Sequence, residues 1–169
     1  TTLILLLTSC SIEDSNMRKM FFARNDKQIA NERFETLIDA IQTHNSEAVK
    51  AVFSNNALRE VENIDSSIQE LFGYFQGNLL SYKAWAGPDV SAKKDNGNYW
   101  KSYDCTYDFE TSKDKYRLAM EIITVDTTDA DNIGIRSLYI IRFEDDTDQN
   151  CAYRGDGAYT PGINIGKTE

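Results

Sequence analysis

Hydrophobic side chains in the first half of the chain recur with the period of an α-helix. Between about residues 25 and 43 they fall on one helical face, at Ala30, Phe34, Leu37, Ile38 and Ile41. Shorter apolar stripes with the same spacing follow at 49–53, 57–61 and 68–75. The pattern predicts that the first half of the chain is helical.

From about residue 99 the period changes to two, which is the period of a β-strand. Apolar or aromatic residues alternate with mostly polar ones in two runs, at Tyr99, Tyr103, Cys105, Tyr107 and Phe109 and at Tyr116, Leu118, Met120 and Ile122, with Lys101 on the same face as the first run. Residues 79–85 predict an earlier strand and residues 133–143 a later one. The second half therefore predicts an antiparallel meander.

The last predicted strand is apolar on both faces. One face carries Ile133, Ile135, Tyr139, Ile141 and Phe143, and the other carries Leu138 and Ile140. This pattern is typical of a central strand or of a strand at a subunit interface. A homodimer that forms through the sheet is therefore one expectation.

Helices followed by a meander indicate an α+β fold, in which N-terminal helices pack on a curved antiparallel sheet of about four strands. We expect this domain to span residues 25–145. Residues 146–169, first acidic and then rich in glycine, predict a C-terminal tail.

Residues 1–10 are uncharged and have an apolar centre at 3–7. A membrane-spanning helix needs roughly 20 apolar residues, so the segment fits the end of a signal peptide instead. Leu7, Thr8, Ser9 and Cys10 match the lipobox of bacterial lipoproteins, whose cysteine receives the lipid. The alternative is a truncated buried strand with a chance cysteine. We expect lipidation at Cys10, location on the extracytoplasmic face of the cell membrane, and a flexible tether over 11–24.

The formal net charge is −9, and none of it comes from residues 1–10. Nucleic-acid binding requires a clustered cationic surface, so we expect no nucleic-acid partner. An acidic body is also repelled by anionic lipid, and membrane attachment is therefore expected to come from the lipid on Cys10.

The order of elements resembles the nuclear transport factor two-like superfamily, also called cystatin-like or SnoaL-like, whose cone-shaped domains hold a pocket between helices and sheet. The resemblance covers roughly residues 25–143, and its carriers are Phe34 with Leu37 and the segments 48–54, 71–77, 116–125 and 133–143. With the lipobox and the tail Pro161-Gly162-Ile163, the chain also looks like a family of uncharacterised lipoproteins from Gram-positive gut bacteria, known only as a domain of unknown function. The resemblance implies a fold and a cellular location but no catalytic activity.

Enzymes of that superfamily, such as ketosteroid isomerases and SnoaL-like cyclases, place an Asp or Glu base, sometimes a His, in the cone beside tyrosine donors. The predicted inward face supplies Tyr103, Tyr107 and Tyr139, whereas Asp104 and Asp108 are expected to point outward. We therefore favour a non-catalytic binding or interaction module. The alternative is a small-molecule enzyme of isomerase or cyclase type that uses the cone, and it requires a carboxylate with a raised pKa facing a tyrosine.

Four aromatic residues are candidates for lining a ligand pocket: Trp85, Tyr103, Tyr107 and Tyr139. Aromatic faces stack well on apolar or sugar-like ligands, but packing in the core explains the same residues. Cys105 and Cys151 likewise leave two interpretations open. They form a disulfide in the oxidising compartment, or Cys105 is buried in a strand and Cys151 is incidental.

No cofactor or metal is expected. His44 is the only histidine, which excludes a histidine-based metal cluster, and its place in a turn indicates a surface role. Residues spaced as at the start of a calcium loop occur in the tail, at Asp146, Asp148 and Asn150. The loop's sixth and twelfth positions hold Cys151 and Gly157, where glycine and a bidentate glutamate are needed.

Overall fold

Five helices and a five-stranded sheet make up the computed structural model, which describes residues 8–23, 25–151 and 153–167. The helices are α1 (Thr8–Phe22), α2 (Asp26–Gln42), α3 (Ser46–Val52), α4 (Asn55–Glu60) and α5 (Ile64–Tyr74). The strands are β1 (Leu79–Asp95), β2 (Asn98–Thr111), β3 (Lys115–Asp126), β4 (Gly134–Arg142) and β5 (Gly162–Ile165). Short 3-10 turns lie at Ala130–Asn132 and Phe143–Asp145.

Side-chain caps separate the short helices. The side-chain oxygens of Asn45, Ser54 and Asn63 accept hydrogen bonds from backbone N–H groups in the first turns of α3, α4 and α5, at 3.0, 3.1 and 3.0 Å. Each cap satisfies an N–H group that has no partner within its helix. The chain can therefore reverse direction between short helices without leaving these donors unpaired.

The strands follow the order β1-β2-β3-β4-β5 in a curled sheet that does not close. The first four pair antiparallel with their neighbours, and β5 pairs parallel with β4. The predicted α+β cone is confirmed. The fifth strand comes from the segment for which the sequence predicts a tail, so the sheet extends beyond the four strands expected.

One face of the sheet, here called the inner face, packs against α2 and α5, and α3 packs against these two helices. The main hydrophobic cluster lies between these layers and includes Phe34, Leu37, Ile41, Ile68 and Leu71 from helices and Tyr103, Tyr107, Leu118, Ile122 and Leu138 from strands. All of these side chains are essentially excluded from solvent. Their burial supplies the main favourable contribution to folding.

The opposite face, here called the outer face, has a second and smaller cluster formed by Ala119, Tyr139, Ile141 and Tyr153. Tyr153 belongs to the C-terminal segment, which crosses the outer face before β5. The two apolar faces of β4 are thus both covered within one chain. The apolar pattern on both faces of β4 was the basis for expecting a homodimer through the sheet, and that homodimer stays a prediction.

Arg117 holds the C-terminal segment against the outer face. Its side chain is 1% exposed, and its guanidinium donates to both carboxylate oxygens of Asp108, at 2.6 and 3.1 Å. It also donates to the carboxylate of Asp146 at 2.7 Å and to the backbone oxygen of Gln149 at 3.2 Å. Asp146, which the sequence places at the start of a calcium-like loop, is therefore a partner of a buried arginine.

Residues 11–22 of the segment for which the sequence predicts a flexible tether lie in helix α1. Phe21 and Phe22 contact the ring of Tyr99 on β2, with centroids 4.9 and 6.0 Å apart. The backbone oxygen of Ala23 accepts a hydrogen bond from Lys101 Nζ at 3.0 Å. These contacts provide the tertiary packing that a short helix needs.

We expect Arg117→Met to lower the free energy of unfolding by about 3 kcal/mol or more, because it leaves Asp146 without its cation and Asp108 with only the exposed Lys83, 3.5 Å away. Urea denaturation followed by circular dichroism measures the change. Arg59→Met is the matched control, since Arg59 pairs with Asp131 on the surface and such pairs contribute about 1 kcal/mol or less. Equal losses in the two variants would contradict the role assigned to Arg117.

Candidate functional site

The interior of the cone between α2 and the sheet is filled by aromatic side chains. The ring of Phe34 stacks on that of Tyr107 with centroids 4.4 Å apart. The hydroxyl of Tyr107 donates to Asn31 Oδ1 at 3.0 Å, and that of Tyr103 donates to Asp26 Oδ1 at 2.7 Å. Both tyrosines therefore serve the packing between helix and sheet, and their polar ends are satisfied by α2.

Asp26 is a carboxylate beside a tyrosine of the cone, which is the position that a catalytic base would occupy. Lys101, only 3% exposed, places its Nζ 2.5 Å from Asp26 Oδ1. Burial alone would raise the pKa of Asp26, but the hydrogen bonds from Lys101 and Tyr103 outweigh it and lower the pKa below its ordinary value. A carboxylate with a lowered pKa is a weak base, so Asp26 fits a structural ion pair better than a catalytic role.

Trp85 and Tyr139 lie on the outer face, so they do not share a pocket with Tyr103 and Tyr107. Trp85 falls where the register between β1 and β2 shifts, and its ring lies 4.7 Å from the guanidinium carbon of Arg117. The hydroxyl of Tyr139 donates to Asp156 at 2.8 Å and accepts from the backbone N–H of Thr160 at 2.7 Å.

A β-bulge explains why the inward position predicted for Tyr139 is wrong. Glu121 pairs with Ser137 and the next residue, Ile122, pairs with Ile135, which leaves Arg136 as an extra residue in β4. One extra residue reverses which alternate positions face the core. Ile135 therefore faces inward, but beyond the bulge Leu138 and Ile140 do so, and Tyr139 faces outward.

The outer face holds a cavity, here called the outer cavity, between the sheet and the C-terminal segment. Its walls are formed by Asp104, Cys105, Thr106, Ala119, Glu121 and Tyr139 from the strands and by Tyr153, Arg154 and Tyr159 from the segment, among others. The hydroxyl of Thr106 donates to the backbone oxygen of Tyr153 at 3.2 Å, which holds the segment over the strands. The cavity volume is about 30 Å³, room for about two water molecules.

Three carboxylates, those of Asp89, Asp104 and Glu121, line the outer cavity together with one cation, Arg154. Asp104 is half-buried, and this desolvation, followed by the negative charge of Glu121, raises the pKa of Asp104 above its ordinary value, although Arg154 acts in the opposite direction. Glu121 accepts a hydrogen bond from Arg136 at 3.0 Å. The arrangement suits a small polar group with positive charge, which would offset the electrostatic repulsion between the neighbouring carboxylates.

The alternation in β2 predicts that Asp104 points outward, as it does in the structure, but it does not predict the outer cavity. Asp104 and Glu121 are cross-strand partners, and the alternation in β2 and β3 is a signal that could have paired them. Arg154 and Tyr159 had no such signal, because the long-range docking of the C-terminal segment places them there.

The two cysteines of the described domain are separate. Cys105 is buried in β2, and burial raises the pKa of its thiol to about 12, which makes it unreactive as a nucleophile. Cys151 is exposed in the C-terminal segment and forms a hydrogen bond with the side chain of Asp148. The structure does not join these two described cysteines by a disulfide.

His44 lies in the exposed turn before α3, and its ring contacts that of Phe72 with centroids 5.0 Å apart. Across the described residues, no group of three or more metal-binding side chains is suitably placed for an ion. None of the described helices has the length and apolar character needed to cross a bilayer. The side chain of Cys10 and residues 1–7 lie outside the described part of the chain.

The helices on a curled sheet and the filled interior define an α+β cone domain, consistent with the nuclear transport factor two-like fold. A family model described as a domain of unknown function (DUF5104) matches residues 36–143, from within α2 to the end of β4. The chain belongs to this family, which confirms the expected membership in an uncharacterised domain family. No curated protein matches the chain.

We expect Asp26→Asn to lower the free energy of unfolding at pH 7 by about 2 kcal/mol, because Lys101 loses its charged partner. The pKa of Asp26 is lower in the folded chain, so its stabilisation is present above the unfolded value of about 3.9 and is lost as the pH falls through the folded value. Urea denaturation between pH 7 and pH 3 should show this loss.

The control is Asp39→Asn on the exposed side of α2, for which a change within about 0.5 kcal/mol is expected. A deficit of Asp26→Asn that persists unchanged at pH 3 would refute the ion-pair role.

Proposed function

We propose that this protein is a lipid-anchored, extracytoplasmic binding module, attached to the membrane through Cys10 and without catalytic activity in the cone. The lipobox pattern at residues 7–10 supports the anchor. The observation that carries the non-catalytic role is the stacking of Phe34 on Tyr107. It fills the space that an enzyme of this fold keeps for its substrate.

The outer cavity is the binding site that the geometry supports best. Asp104 and Glu121 supply hydrogen-bond acceptors with negative charge, and the rings of Tyr139, Tyr153 and Tyr159 supply apolar walls. A cavity of about 30 Å³ is far smaller than the roughly 300 Å³ at which pockets begin to hold drug-sized ligands. The ligand group that enters it is therefore small, such as an alkylammonium head.

A second candidate is an enzyme of isomerase or cyclase type, and one observation favours it. Burial raises the pKa of Asp104 above its ordinary value, and a shift in that direction makes a carboxylate a stronger base. The base would then act on the outer face and not in the cone, where the pKa of Asp26 is lowered. The small volume of the outer cavity favours binding of a small group over turnover of a larger organic substrate.

For the anchor, we expect Cys10→Ala to move the protein from the membrane fraction to the soluble extracytoplasmic fraction, because no acceptor thiol remains for the lipid. Fractionation and immunoblotting of producing cells measure the distribution. Cys151→Ala is the matched control, since it removes an exposed cysteine in the C-terminal segment, and it should stay with the membrane. An amount of protein in the membrane fraction that is the same for Cys10→Ala as for the native protein would refute the lipoprotein proposal.

For the outer cavity, methylammonium is a probe of suitable size and charge. We expect it to shift the amide NMR signals of Thr106 and Ala119, and Asp104→Asn to weaken its binding about tenfold, since a hydrogen bond to a charged group contributes about 1.5 kcal/mol or more. Binding by the native protein should decline on acidification at a pH above the ordinary aspartate value of about 3.9, because the pKa of Asp104 is raised.

Asp95→Asn, in the exposed β1–β2 hairpin, is the control and should bind the probe as the native protein does. Binding that is indifferent to Asp104→Asn would exclude the outer cavity as the site. If the native protein turns over a small molecule and Asp104→Asn does not, the enzyme is the correct proposal and the binding module is not.

A further inference from the structure

One end of the domain differs in charge from the rest of this acidic protein. This basic end consists of the last turns of α1 and the β1–β2 hairpin, which meet around the ring of Tyr99. The guanidinium of Arg18 lies 5.6 Å from the centroid of that ring, and Lys94 Nζ lies 5.5 Å from it. Helix and hairpin thus form one continuous surface.

The basic end presents four exposed cations, Arg18, Lys19, Lys93 and Lys94. Among the side chains that the structure describes, none of these four takes part in an ion pair. The hairpin itself contributes one carboxylate, Asp95. The positive charge is therefore available to an external anionic partner, although the whole chain carries a net charge of −9.

Exposed apolar and aromatic groups accompany these cations. Phe22 is 63% exposed and Met20 is 40% exposed. Trp100 is partly exposed, with Lys93 Nζ 5.3 Å from its ring centroid. Basic residues interleaved with tryptophan, phenylalanine and other apolar side chains are the composition of surfaces that lie at the headgroup level of a bilayer.

We propose that the basic end docks on the anionic surface of a lipid bilayer and thereby orients the domain. This inference rests on the proposed lipid anchor for its setting, because Cys10 lies on the same helix as Phe21, about 16 Å away at 1.5 Å per residue. Each lysine or arginine near an anionic surface raises the affinity about fivefold. Four of them supply a weak contact that supplements a lipid chain and does not replace it.

The test uses the full chain with Cys10→Ala, so that no lipid contributes to binding. This protein is sedimented with vesicles of phosphatidylcholine alone or of phosphatidylcholine mixed with phosphatidylglycerol. We expect binding to the anionic vesicles only, with a decline as salt is added. Adding Lys93→Glu and Lys94→Glu should weaken that binding at least tenfold, since four units of charge are changed.

The matched control adds Lys113→Glu and Lys115→Glu, at the β2–β3 hairpin at the other end of β2, and should bind within about twofold of its parent. Arg18→Glu with Lys19→Glu on α1 should reproduce the loss if the hairpin variant is unstable. The proposal is overturned by equal binding to neutral vesicles, by no binding to either kind, by an equal loss in the control, or by binding to heparin without binding to vesicles. None of these outcomes depends on lipidation, which the fractionation of Cys10→Ala tests separately.

Discussion

The buried guanidinium of Arg117 is the contact on which the arrangement of the outer face depends. A charge removed from water is tolerated only when its hydrogen bonds are satisfied and its charge is balanced. Asp108 on the neighbouring strand satisfies one side of the guanidinium. Asp146 and the backbone of Gln149 satisfy the rest, and both belong to the segment that follows β4.

The docked segment changes what each part of the sheet can do. Because it covers Tyr139 and Ile141 with Tyr153, the second face of β4 becomes interior and the chain can continue into β5. Gly155 permits the close approach, since a Cβ at this position would lie 1.9 Å from Tyr139 Cδ1. The same crossing encloses the outer cavity. The cone, in contrast, is filled by the packing of α2, and the outer cavity lies on the opposite side of the sheet.

Local patterns in the sequence predicted the elements that form through local or neighbouring contacts. The stripe from Ala30 to Ile41 and the alternation in β2 each describe one surface that is buried as a unit. The prediction for Tyr139 was wrong because a bulge at Arg136 changes the alternation within the strand. The residue types near Arg136 do not indicate a bulge.

Two features of the candidate sites depended on partners far apart in the sequence. The alternation placed Lys101 among inward aromatic residues, which was a signal that a buried cation needs a carboxylate, but it did not indicate that Asp26 is that partner. The region after residue 145 lacks a periodic apolar pattern, so its docking on the sheet could not be predicted from its own sequence. It depends on Arg117, about thirty residues earlier in the sequence.

The separation of charge along β2 reconciles an acidic protein with a basic end that contacts an anionic surface. At an ionic strength near 0.15 M, electrostatic interactions between exposed charges decay over about 8 Å. Trp100 belongs to the basic end, and Asp104 of the outer cavity lies four residues further along the strand, about 13 Å away at about 3.3 Å per residue. Carboxylates at that distance or beyond are largely screened from the bilayer. The charge at the basic end is therefore set locally, by its four cations against Asp95 and Asp126, the cross-strand partner of Trp100. With the basic end toward the lipid, the outer cavity stands clear of the surface potential, and its charge can select a ligand independently of the membrane.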